Sequence, residues 1–233
     1  AINGGLVGSP LVASMEIRDS VITNNVAGVD GGAINDFGPL LIQGSVLSYN
    51  SAGMHAGAVH GFVHPQEGLP FAVTIEDTEM SNNSAEQAGG AIAVVGDVTL
   101  DVSNSVFTDN SAGLYSGAIN NNATTTVDSS TFSGNSANWG GAIASGSGTV
   151  VISSSNLTSN VAHQHGGAIY NNHLFAESLV TITDSTLADN SAELGGAIYN
   201  GNEDGNSFTA TVTLSESTLS GNSATNGGGI LNM

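Results

Sequence analysis

Apolar residues along this chain recur in fixed columns around one asparagine. The Asn stands at Asn25, Asn50, Asn83, Asn110, Asn135, Asn160, Asn190 and Asn222. Two residues after each comes Ala: Ala27, Ala52, Ala85, Ala112, Ala137, Ala162, Ala192 and Ala224. Three before each is a large apolar side chain: Ile22, Leu47, Met80, Phe107, Phe132, Leu157, Leu187 and Leu219. Eight before each is another: Ile17, Ile42, Ile75, Val102, Val127, Ile152, Ile182 and Leu214. Successive Asn residues are 25, 33, 27, 25, 25, 30 and 32 positions apart. Four columns filled in every unit make this an internal repeat.

Between the columns, apolar and polar residues alternate with period two, as in Val180-Thr181-Ile182-Thr183. Such runs, rich in Val, Ile and Thr, are strand chemistry. Three short strands and three turns per unit predict an all-β fold. Its form is a single-stranded right-handed parallel β-helix of about eight coils of 25–33 residues, one domain over residues 1–233. Coils stacked ~4.8 Å apart make a rod roughly 38 Å long. The apolar columns point inward, and Ala fits where the interior narrows. Asn suits a tight left-handed corner, where its amide can bond to backbone and to the next Asn. A Gly-Gly pair precedes Ala-Ile at Gly31-Gly32, Gly89-Gly90, Gly140-Gly141, Gly166-Gly167 and Gly195-Gly196. Two units place Ala56 and Ser116 at the first position of the pair, but the second is always glycine. These positions read as sites of positive φ and close backbone approach.

Extra residues collect at one corner, between the Gly-Gly-Ala-Ile motif and the next inward apolar residue. That interval is 8 from Ile34 to Ile42, but 16 from Val59 to Ile75, 13 from Ile169 to Ile182 and 16 from Ile198 to Leu214. The longer loops carry His60, Phe62, His64, Phe71, His173, Phe175, Glu177, Glu203, Asp204 and Phe208. Loops of this kind are where a solenoid binds its partners. Glu177, Glu203 and Asp204 lie in neighbouring loops, and a carboxylate pair is the chemistry of glycoside hydrolysis. Immediately before the glycine pair, Tyr115, Trp139 and His165 fall in successive coils and predict a short aromatic stripe that can lie against sugar rings or a partner chain. Asp184 and Glu216, each six before its Asn, are the candidate ligands for a shared Ca²⁺. No other cofactor is expected, and no ligand spacing matches a closed zinc site.

Charge narrows the partners. Asp and Glu number 20 against one basic residue, Arg18, for a formal net charge of −19. That balance repels nucleic-acid backbones and anionic membrane surfaces. The absence of cysteine removes disulfide and thiolate chemistry. No apolar run is long enough to span a bilayer. The chain begins Ala1-Ile2-Asn3 and ends Gly228-Gly229-Ile230-Leu231-Asn232-Met233, inside the repeat motif at both ends. The expectation is a β-helix without caps, whose open rungs meet further coils of a longer chain or stack head to tail into a filament.

The paired motifs Phe107-Thr108-Asp109-Asn110 with Gly117-Ala118-Ile119, and Phe132-Ser133-Gly134-Asn135 with Gly140-Gly141-Ala142-Ile143, resemble the FxxN and GGA(I/L/V) repeats of the chlamydial polymorphic outer-membrane protein family. The other coils put Leu, Ile or Met where that family prefers Phe. The resemblance implies an extracellular or cell-surface passenger acting as an adhesin or self-associating rod. The function expected is therefore a non-enzymatic structural or adhesive β-helix. Its partners would be its own kind, a glycan or a host or cell-surface protein. The alternative is a carbohydrate-binding or polysaccharide-hydrolysing module.

Overall fold

The structure, a computed structural model, describes the backbone of residues 2–4 and residues 13–63, 69–172, 176–201 and 209–233. The chain winds as a parallel β-solenoid, and every recorded strand pairing is parallel. Three sheets of fourteen, eight and six strands run along it. The eight rungs of the second sheet, from Val21–Thr23 to Thr218–Ser220, are seven turns apart end to end, close to the eight coils expected.

The apolar columns stack in the expected register. Ile42 pairs with Ile75, Ile75 with Val102, Val102 with Val127 and Val127 with Ile152. In the second sheet Leu47 pairs with Met80, Met80 with Phe107, and Phe107 with Phe132. The two Phe rings lie 4.6 Å apart and almost parallel. All these side chains are buried in one continuous core. Burying an Ile, Leu or Phe of this kind contributes about 1.5–3 kcal/mol.

The fourteen-stranded sheet departs from a simple three-strand coil. In the middle coils, Ile92–Ser103, Ile119–Asp128 and Ile143–Ser153 run unbroken past the loop corner. Register shifts at Val95/Thr99 and Asn121/Asn122 absorb the corner there. In the coils with inserted loops the same path divides into two strands, such as Val59–Phe62 and Phe71–Glu76. Phe71, expected to be a loop contact, faces the core, because it starts the second of these strands in the inward phase.

Asparagine forms a ladder through the whole solenoid. Each Oδ1 accepts the backbone N–H and the Nδ2 of the Asn one coil before it, at 2.9–3.1 Å, from Asn25 to Asn222. From Asn50 onward, Nδ2 also donates to the carbonyl of an apolar residue in the preceding coil, as Asn135 does to Phe107. The left-handed corner is not at these residues, as their chemistry suggested. The residue before each takes it: Asn24, Tyr49, Asn82, Asp109, Gly134, Ser159, Asp189 and Gly221. The column Asn itself keeps a negative φ.

A second ladder, of hydroxyls, lies five residues before each Asn. The N–H of Ser105 donates to Ser130 Oγ, that of Ser130 to Ser155 Oγ and that of Ser155 to Ser185 Oγ, at 3.0–3.1 Å. Each hydroxyl returns a bond to the carbonyl two residues earlier.

The glycine pair divides its work. The first position is left-handed in every coil, including Ala56 and Ser116. The second sits against the next coil, and a Cβ on Gly117 would overlap the Gly141 carbonyl oxygen and the Ser136 nitrogen. Gly117→Ala should therefore prevent folding, seen as loss of the β-sheet circular dichroism signal. Asn135→Ala leaves the Asn110 N–H and the Phe107 carbonyl buried without their ladder partners. It should lower unfolding free energy by about 2–5 kcal/mol in urea titration. An unchanged midpoint would show that the ladder is not stabilising.

Candidate functional site

The glycine corner folds the chain back on itself, so the residue before the pair and the residue after Ala-Ile lie side by side on the outside. Stacking turns each into a column. Asp30, His55, Ala88, Tyr115, Trp139, His165 and Leu194 are successive bridge partners. Asn35, His60, Ala93, Asn120, Ala144, Tyr170 and Tyr199 form the neighbouring column. A groove of about 630 Å³ runs along this corner over several coils. That volume is within the range of small-ligand sites.

Large rings stand at both ends and small side chains lie between. At one end are Phe37, His55, His60 and Phe62; His60 is 6.0 Å from His55 and 6.1 Å from Phe62, ring centre to ring centre. At the other are Tyr115 and Tyr170, 6.4 Å apart. Ala88 and Ala93 leave the floor open between them, and Gln87, Asn120 and Asn122 supply amides.

The aromatic stripe expected at Tyr115, Trp139 and His165 is present as a column, but its packing is wider than a simple stack. Tyr115 lies 4.9 Å from Trp139, whereas the His165 ring lies 4.6 Å from Tyr199 and 6.0 Å from Tyr170. Ala144, Tyr170 and Tyr199 are the buried centre of a small apolar cluster outside the main core, with Tyr115, Trp139 and Leu194 around it. This cluster is the firm end wall of the groove. Its tyrosines had a sequence signal that the periodic columns obscured: Gly-Gly-Ala-Ile-Tyr-Asn occurs twice, at 166–171 and 195–200.

Residues 129–146 match the Chlamydia polymorphic membrane protein repeat. The match takes in the Phe132 core position, the ladder residue Asn135 and the glycine corner. It also takes in Ala144 and Gly146 at the groove and Trp139 beside its end wall. The chain is thus a parallel β-helix repeat protein whose coils resemble the polymorphic membrane protein repeat. No curated protein and no solved structure matches it.

The remaining sequence candidates sit elsewhere. Glu177 is exposed, and its backbone carbonyl accepts the Gly148 N–H at 3.0 Å; it is not a groove residue. Phe175, Glu203 and Asp204 lie outside the described residues, as do His64, His173 and Phe208. Asp184 and Glu216 occupy left-handed corners of adjacent coils, both at φ 49°, and both are exposed. Among the described residues no three His, Asp or Glu side chains converge to hold a metal. His60 and Phe62, expected in a loop, lie on the strand Val59–Phe62 and line the groove.

The histidine end carries the groove's titratable groups. Asp30 Oδ1 lies 2.8 Å from His55 Nδ1, and a carboxylate there can only accept, so the imidazole donates. Burial pushes the His60 imidazole below its ordinary range; the Asp30 charge opposes this and His55 adds to it. Neutral His60 places Nδ1 3.1 Å from Asn35 Oδ1. Behind Phe37, Asp36 faces inward and is fully buried. Burial pushes its carboxyl up to about 6, against the backbone N–H groups of Gly38 and Phe37.

Asp36 gives a pH dependence of defined sign. Its ordinary value is 3.8, so between about 4 and 6 the native state holds a proton that the unfolded chain has released. Its contribution to stability is therefore present below pH 4 and is lost as pH rises to 6. Asp36→Asn should raise the melting temperature at pH 7 and leave it nearly unchanged at pH 4. Thermal melts at the two pH values test this, and an equal shift at both would reject it.

Proposed function

We propose that this chain is a surface-displayed β-helix rod that adheres to its target through the corner groove. The observation carrying the reading is the groove itself: rings at both ends, an open floor and amides, set on strands and bridged corners of the solenoid. Sites placed on such elements are pre-organised, so little ordering cost opposes binding. Surface display rests on the likeness of the coils to a membrane-protein repeat. The acidic, almost lysine-free and arginine-free composition keeps such a rod soluble and supports an exterior facing solvent.

Binding is favoured over cleavage by the carboxylates. Glycoside hydrolysis uses two, about 5–9.5 Å apart across the scissile bond. Among the described groove residues Asp30 is the sole carboxylate, and it is paired with His55.

Two variants test the reading. Tyr115→Ala removes a wall, and Val95→Trp fills the groove from its half-buried opposite side. Fluorescently labelled chain should be retained on cultured cells in flow cytometry, and each folded variant should lose about tenfold or more of that retention. Undiminished retention of both variants would move adhesion away from this corner.

A further inference from the structure

The groove's chemistry is specific enough to name a ligand class, an inference that rests on the corner groove being the binding site. We infer that it takes a neutral oligosaccharide lying lengthwise along the rod.

Charge supports this class. The described lining residues include no Lys or Arg, and the chain's one basic side chain, Arg18, is exposed and bonded to Gln43 and Glu16. Uronates, sulfates and phosphates need cationic forks or clustered N–H donors, and here they would meet a chain of net charge −19. Asp30 already has its partner in His55. What remains is a set of neutral hydrogen-bonding groups beside ring faces. A pyranose presents that same combination, hydroxyls around its rim and C–H groups on its face.

The backbone argues against an extended peptide. Peptides that join sheets use a free strand edge. Here the wall strands spend their N–H and C=O groups on neighbouring coils, as at Ile92–Val95 against both Val59–Phe62 and Ile119–Asn122. Gly146, at a register shift, is the one described lining residue that presents backbone alone.

Its length fits a chain of sugars. From His60 to Asn120, on the coil that carries Tyr115, are two rung spacings, through Ala93. At ~4.8 Å each this is roughly 10 Å. One rung is comparable to one hexose of an extended oligosaccharide, so successive sugars meet successive coils. The small Ala88 and Ala93 positions would seat a ring between the aromatic ends.

Isothermal titration of the 233-residue chain tests the inference. The probes are neutral gluco-, manno- and galacto-oligosaccharides of one to six units, with oligogalacturonates of equal length as the charged comparison. Affinity for at least one neutral series should rise with length up to about two units and then level, with oligogalacturonate at least about tenfold weaker. Tyr115→Ala and, independently, Gln87→Ala should each weaken the best neutral probe about tenfold, with circular dichroism confirming the fold. Preference for the oligogalacturonate overturns the inference, as does neutral binding that both folded variants retain. If no neutral probe binds while Tyr115→Ala and Val95→Trp still abolish cell retention, the ligand class is wrong and the groove reading stands. If those variants leave retention unchanged, the groove reading itself fails.

Discussion

The rod depends on one constraint: each coil must sit at parallel-sheet distance from the next around its whole circumference, including the corners. On the flat faces the ladder of backbone hydrogen bonds meets that condition without help. At the corners the backbone turns away and its N–H and C=O groups would be buried unpaired. The Asn ladder supplies the missing partners at one corner and the Ser/Thr ladder at another. At the third there is no room for a side chain at all, and the second glycine of each pair lets the carbonyl of the next coil approach. Burial of an unpaired polar group is costly, which is why these columns admit so little variation.

The same stacking makes the outer surface periodic. A residue type placed outside the glycine corner is repeated or opposed by its neighbour one rung away. The groove arises because the chain turns back at the glycine pair, setting two outer columns side by side. Rings in coils 1–2 and 4–7 and small residues between them then form ends and a floor. The aromatic cluster around Tyr170 and Tyr199 is a second, external core. It fixes one end wall of the groove with the packing that the interior uses elsewhere.

The inward face behind the loop corner is less apolar than the rest. Asn121, Ser145, Asn171 and Asn200 are all buried there. Asn171 Nδ2 donates to Asn200 Oδ1 at 2.7 Å, and Ser178 Oγ to Asn171 Oδ1 at 2.7 Å. These groups tie together the strands that inserted loops divide. Asp36 holds the equivalent position near the groove's histidine end, facing the backbone N–H groups of Gly38 and Phe37. Burial outweighs those donors, and its carboxyl value rises.

The sequence alone determined the coil, its core columns, the Asn ladder and the glycine corner, because each rests on a residue type repeated at fixed spacing. Burial and hydrogen bonding act the same way in every coil, so repetition reveals them. The hydroxyl column five before each Asn was equally periodic but is easily lost among the many Ser and Thr residues of the chain. The groove was only partly legible. Tyr115, Trp139 and His165 stood out as one column, but a pocket needs two columns facing each other. Which outer column meets which is set by the angle at the glycine corner, and that angle leaves no period in the sequence. Tertiary structure therefore decided that His60 and Phe62 are wall residues, that Phe71 belongs to the core, and that Tyr170 and Tyr199 pack against the stripe.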